Sequence, residues 1–267
     1  MMIFGGVLMR KLLLSAALLL CSLLIAAPCL AAYMPPSSDI VVFVDEEGGV
    51  RKDISNMSRV PVFCLYKDGT LIYSTIGEDG LVFLMKSTMD ESKIAEVRRF
   101  FESSDEWNDV YEDSPMKDMP VVTITYNSGS DVRKFTVRGI DYAMRQKTIP
   151  SGMAAFYRYA AFYSDPDAKE YESDEIYIFV KPASKPDEDS LHRVIGWRVN
   201  VDLAALVDEG GMSGVSSARL SGKNAKRALK TLKYFVPFMT ADLPVFVRQK
   251  RSYYSVGFRP LLPHELK

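Results

Sequence analysis

Asp68-Gly69 stands between two short apolar runs, residues 62–66 and 71–76, and no other feature of this sequence limits the fold as tightly. A connection this short forces an antiparallel hairpin, because parallel strands need a crossover of a dozen residues or more. The dipeptide predicts a type I′ turn, with positive φ at both central positions. The same grammar extends on either side of it. Residues 40–44 end at Glu46-Glu47-Gly48-Gly49, and the 71–76 run ends at Gly77-Glu78-Asp79-Gly80 before residues 81–85 resume. Residues 121–126 and 132–137, around Asn127-Ser128-Gly129-Ser130, predict a second hairpin with near-strict apolar alternation.

Helices are expected between the hairpins. Thr88 and Glu91 fit a capping box, followed by Ile94, Val97 and Phe101 at helical spacing. An acidic loop then spans residues 102–118. Pro150 and Ser151 open a helix to about Tyr163, with Met153, Phe156, Tyr157 and Ala160 on one face. Beyond a polar stretch at residues 164–175, residues 176–180 and 194–199 read as strands around a polar loop at 185–190. Residues 202–207 read as a short helix stopped by Gly210-Gly211, and Ser221 as the cap of a stronger helix to about Phe235. Residues 245–247 and 253–258 read as a closing hairpin. Hairpins interrupted by helices predict an α+β fold of antiparallel sheets, each covered by amphipathic helices. The polar stretch predicts a boundary between an N-terminal α+β domain at 32–166 and a C-terminal one at 173–267.

The start of the chain reads as an address. Arg10 and Lys11 precede an uncharged run at residues 12–27, then Pro28, Cys29, Leu30, Ala31 and Ala32, which is the pattern of a secretory signal peptide at 1–31 cleaved near Ala31. The run is short for a bilayer span of roughly 20 residues. Cleavage leaves Cys64 as the single cysteine, so an intrachain disulfide is excluded although an exported location would permit one. Between Phe63 and Leu65, Cys64 reads as a buried small hydrophobe.

Three motifs carry a resemblance. Phe63-Cys64-Leu65-Tyr66-Lys67-Asp68-Gly69-Thr70, Met119-Pro120 before the Val121 strand, and the terminal Arg259-Pro260-Leu261-Leu262-Pro263-His264-Glu265 resemble, in order, those of an uncharacterised family of exported bacterial proteins. Lys67 departs from the Gly such chains often carry there. The resemblance implies export and one recurring architecture, and it brings no activity and no catalytic residue.

Most catalytic chemistry lacks its residues. The two histidines, His192 and His264, are too far apart for a paired zinc motif, and each reads as a solvated loop or tail residue. Gly211-Met212-Ser213-Gly214 fails as a nucleophile elbow because Val215 stands where Gly is required. Ser114-Pro115-Met116-Lys117 matches Ser-x-x-Lys only on paper, since that chemistry needs the two residues one helical turn apart. Acidic clusters at Asp105, Glu106 and Asp109, at Asp165, Asp167 and Glu170, and at Asp187, Glu188 and Asp189 lack the spacing of a calcium loop and read as solvated loops. Tyr157, Tyr159, Phe162, Tyr163, Tyr253, Tyr254 and Phe258 read chiefly as core aromatics. No metal and no cofactor is expected.

Charge provides the contrast that remains. Lysine and arginine total 33 against 34 acidic side chains, which excludes a generally basic nucleic-acid binder, yet residues 32–170 sum to −7 and residues 211–267 to +9. In the helix after Ser221, Lys223, Lys226, Arg227, Lys230 and Lys233 share one face, and Ala225, Ala228, Leu229 and Leu232 the opposite one. The expected function is a non-catalytic binding or accessory module of the cell envelope, periplasmic or secreted. Its basic face would meet an anionic envelope polymer, a lipid headgroup or a protein. The alternative is a hydrolase of envelope polymer working through a carboxylate pair such as Asp105 and Asp109.

Overall fold

The first hairpin lies within the larger of two sheets. In the computed structural model, which describes residues 39–48, 54, 57–77, 82–102, 104–112, 117–186, 194–208, 214–233 and 245–266, strands β2 (Phe63–Tyr66) and β3 (Thr70–Ile76) pair antiparallel with Cys64 opposite Ile72. The turn is not type I′. Only Gly69 has positive φ, at 84°, and its amide donates to the Tyr66 carbonyl at 3.1 Å. Asp68 instead accepts the Thr70 amide at 2.9 Å, an Asx contact that keeps its own φ negative. The result is a type I turn closed by a left-handed glycine. A Cβ on Gly69 would also strike the Met89 carbonyl oxygen.

Around this hairpin the other strands assemble through both local and long-range pairings. β1 (Ile40–Gly48), β4 (Val82–Thr88), β5 (Val110–Tyr111), β6 (Pro120–Asn127), β7 (Val132–Arg138) and β8 (Lys169–Glu170) complete an eight-stranded sheet in the order β5-β7-β6-β1-β2-β3-β4-β8. All pairings are antiparallel except β5 with β7, and β1 with β6 and β4 with β8 are among the long-range ones. The second hairpin, β6–β7, pairs Ile124 with Phe135, as the alternation demands.

Three helices share a core with that sheet. α1 (Glu91–Arg99), α2 (Ile140–Gln146) and α3 (Ser151–Ala161) place Val97, Ala143, Met153 and Phe156 against Phe63, Leu71, Ile124 and Phe135 in one core. Phe156 meets Phe63 edge-on, with ring centroids 6.0 Å apart. The cap of α1 is Asp90 rather than Thr88: its carboxylate accepts the Lys93 amide at 2.9 Å, while Thr88 stays in the ladder opposite Thr70. A carboxylate at the cap also suits the helix dipole.

A second, five-stranded sheet follows. β9 (Glu175–Ala183), β10 (Val194–Gly196), β11 (Ser216–Ser221), β12 (Val245–Gln249) and β13 (Ser252–Pro260) lie in the order β10-β12-β13-β9-β11, antiparallel except for β10 with β12. α4 (Leu203–Asp208) and α5 (Gly222–Lys233) pack Leu203, Ala225, Ala228 and Leu232 on Ile176, Ile178, Val256 and Phe258. The molecule thus mixes helix with two mostly antiparallel sheets. The chain divides at Ala32/Tyr33, and the expected signal peptide lies outside the described residues.

The polar stretch between the sheets is held rather than loose. β8 within it pairs with β4, and the Asp165 amide donates to the Tyr73 hydroxyl at 3.2 Å. Tyr171 is buried, with its hydroxyl donating to the Leu261 carbonyl at 2.7 Å. The first sheet's other face carries Ile40, Phe43, Cys64, Tyr66, Ile72 and Leu84, and these meet Tyr171 and Leu262 in a third apolar cluster. The C-terminal motif therefore leaves the second sheet and docks on the first.

Candidate functional site

The basic face rests on an abrupt junction. Ser221 is the last rung of β11, opposite Glu175, and α5 begins at the next residue. Gly222 makes this possible with φ +54°, a conformation that any other residue would hold under strain. From there the two helix faces separate as their spacing requires. Ala225, Ala228 and Leu232 are fully buried and Leu229 half-buried, whereas Lys223, Lys226, Arg227 and Lys230 are exposed. Lys233 is the final helical residue, and its side chain lies outside the described residues.

At a rise of about 1.5 Å per residue, Lys223, Arg227 and Lys230 span roughly 10 Å along the helix axis. Lys226 differs from them: its Nζ lies 3.3 Å from Asp174 Oδ1. One strand away Arg219 pairs with Glu175, and that hydrogen bond holds the Glu175 carboxyl below its usual range. Among the described residues, no acidic group pairs with Lys223, Arg227 or Lys230. The arrangement is a line of solvated point charges on a helix whose apolar side is already consumed by its own core.

The carboxylates Asp105 and Asp109 flank one guanidinium. Arg133 Nη1 lies 3.1 Å from Asp105 and Nη2 3.7 Å from Asp109, and the same side chain donates to the Ser104 and Trp107 carbonyls. Their side chains are 96% and 75% exposed, so they act as solvated counter-ions of a chain-fastening arginine. The open surface depression of about 380 Å³ lined by Glu47, Lys117, Asp118, Val121 and Arg138 does not include them. Asp165 caps a local turn by accepting the Asp167 amide at 3.0 Å, and Glu170 sits in β8. The third acidic cluster, His192, Ser114 and Ser213 lie outside the described residues. Among those that are described, no group of three or more His, Cys, Asp or Glu side chains is placed to hold a metal ion.

One residue read as unremarkable belongs to a buried polar cluster. His264 is not a solvated tail residue: it is buried, and its Nδ1 shares a 2.8 Å hydrogen bond with the Tyr66 hydroxyl. Glu265 takes both nitrogens of the Arg259 fork at 2.7 Å and also accepts the Leu262 amide at 2.9 Å. Burial alone would push the Glu265 carboxyl up, but Arg259 and the Leu262 amide more than offset it and hold it below its usual range. Arg259 further stacks over the Tyr177 ring at 5.1 Å. Cys64 lies beside Tyr66, and burial pushes its thiol up to about 12, so the nucleophilic thiolate is absent at neutral pH. Tyr171 is likewise raised by burial to about 12. The cluster is a lock made of neutral hydroxyls, a thiol and one closed ion pair.

The aromatics follow the same inward course. Tyr159 and Tyr163 pack around Phe63, Tyr73 and Phe100, and Tyr254 and Phe258 enter the second core, while Phe162 alone of the set is strongly exposed. Among the described residues no helix is long and apolar enough to cross a membrane. Comparison of the chain with protein-family models, curated proteins and solved structures finds no match.

Proposed function

We propose that this chain is an exported, non-catalytic accessory module that holds an anionic envelope polymer along α5, on a scaffold of hairpin-built sheets backed by amphipathic helices. The observation that carries the reading is the separation of the helix faces: Lys223, Lys226, Arg227 and Lys230 are exposed, while Ala225, Ala228 and Leu232 are buried in the protein's own core. With Ala225, Ala228 and Leu232 already used in its own core, α5 has little apolar seam among the described residues to bury in acyl chains, which is how an interfacial helix gains most of its membrane affinity. A narrow line of charges suits a chain of anions better than a plane of headgroups. Lysine predominates on the face, so it reads charge density rather than the planar geometry that an arginine fork selects.

The test is retention of the full chain on immobilised long-chain polyphosphate, used as a probe of anionic polymers. Wild type should bind at low salt and weaken toward physiological salt, where exposed charges are screened over about 8–10 Å. Changing Lys226, Arg227 and Lys230 together to Glu should abolish retention with the fold intact. Absence of wild-type binding at low salt, or equal retention of the variant, refutes the reading. Binding to anionic vesicles but not to polyphosphate would assign the face to a lipid surface instead. Intact-mass analysis of exported protein tests the proposed processing near Ala31: a mass that retains residues 10–31 would mean an anchor.

A further inference from the structure

We infer that Asp174 sets which cations of α5 a polyanion engages, by withholding Lys226 from it; this rests on the binding reading above and assigns its specificity. Asp174 immediately precedes β9 and faces the first turns of α5, where its Oδ1 lies 3.3 Å from Lys226 Nζ. The backbone that carries it is fixed on both sides. The Ser173 hydroxyl accepts the Glu175 amide at 3.3 Å, and the Glu175 carbonyl accepts the Leu261 amide at 3.0 Å. Glu175 is itself taken by Arg219. The local carboxylates are thus placed against the edge of the basic face that adjoins β11, and a polyanion approaching that edge meets Asp174 as a like charge.

Lys223, Arg227 and Lys230 have no such guard among the described residues. They form one row, at i, i+4 and i+7, on which a polymer can lie while Lys226 stays neutralised. Asp174 is therefore a specificity-determining residue that touches no polymer itself. It lowers affinity for polyanions in general and confines them to one row of the helix.

The experiment measures the affinity of the full chain for long-chain polyphosphate across a salt series. Each phosphate neutralised contributes roughly 0.7–0.9 to the slope of log affinity against log salt, by analogy with single- and double-stranded nucleic acids. Asp174→Asn frees Lys226, so the slope should steepen by about one such step and low-salt binding should tighten by roughly two- to fivefold, the span expected of an exposed pair. In wild type, Lys226→Gln should cost less than Arg227→Gln, and in the Asp174→Asn background the two costs should become equal. A slope and affinity unchanged by Asp174→Asn, or a Lys226→Gln cost equal to that of Arg227→Gln in wild type, overturns the inference while leaving polymer binding intact. No wild-type binding at low salt removes the binding reading first, and Asp174 then has nothing to tune. All the side chains changed are exposed, and coincident melting curves confirm that only binding is being read.

Discussion

Two ion pairs of this molecule, Arg259 with Glu265 and Lys226 with Asp174, sit in surroundings that give them opposite weight. Arg259 and Glu265 meet through two 2.7 Å bonds with side chains only 4% and 2% exposed. Lys226 and Asp174 meet at 3.3 Å with side chains 71% and 83% exposed. In water the second pair trades one set of hydrogen bonds for another, and its net stabilisation stays below about 1 kcal/mol. In the interior no such exchange exists, and removing one partner strands the other. The same chemistry thus fastens the fold in one place and only shields an exposed cation in the other.

Glu265→Gln is the harshest way to break this contrast. It leaves the Arg259 guanidinium buried without its counter-charge, and urea unfolding should show a loss of about 3–5 kcal/mol. A loss below about 1 kcal/mol would mean that the site admits water and that the two pairs are alike. The effect is also pH-dependent. The Glu265 pKa lies below its ordinary 4.5, so its stabilisation is fully present above 4.5 and is lost as pH falls through the folded value. The gap between wild type and Glu265→Gln should narrow on that acid limb and stay constant near neutrality.

Tyr171→Phe sharpens the comparison at a neutral contact in the same region. It orphans the Leu261 carbonyl, which accepts the Tyr171 hydroxyl at 2.7 Å, and should cost about 1–3 kcal/mol in the same measurement. Smallest of all, Lys226→Gln should change stability by no more than about 0.5 kcal/mol, because nothing buried depends on it. A larger loss there would place Lys226 in the architecture rather than on the binding face.

The sequence was most legible where local rules and tertiary environment agree. Asp68-Gly69 marks the first hairpin, the alternation around Asn127-Ser128-Gly129-Ser130 the second, and Met153, Phe156, Tyr157 and Ala160 the buried side of α3. The split faces of α5 are equally plain, since a 3.6-residue period needs no partner to be read. What escaped lacks a local signal. β11 runs into α5 without a loop, so Ser221, read as a helix cap, is the last residue of a strand and Gly222 its hinge. α2 starts and ends on left-handed residues, Gly139 and Lys147, with no capping side chain to announce it. β5 and β8 have two residues each and exist only because a neighbour offers an edge. His264 was misread for a related reason: a histidine in a proline-flanked tail is ordinary until Tyr66, 198 residues earlier, is brought to it.

That separation carries a consequence for the order of events. A chain made from its N-terminus completes the first sheet's strands long before residues 259–265 exist, so Cys64, Tyr66 and Ile72 wait with one apolar face uncovered. Closing so long a loop is an entropic step that local pairing cannot replace. That face of the first sheet therefore stays open until residues 259–265 are in place, and their arrival times its closure.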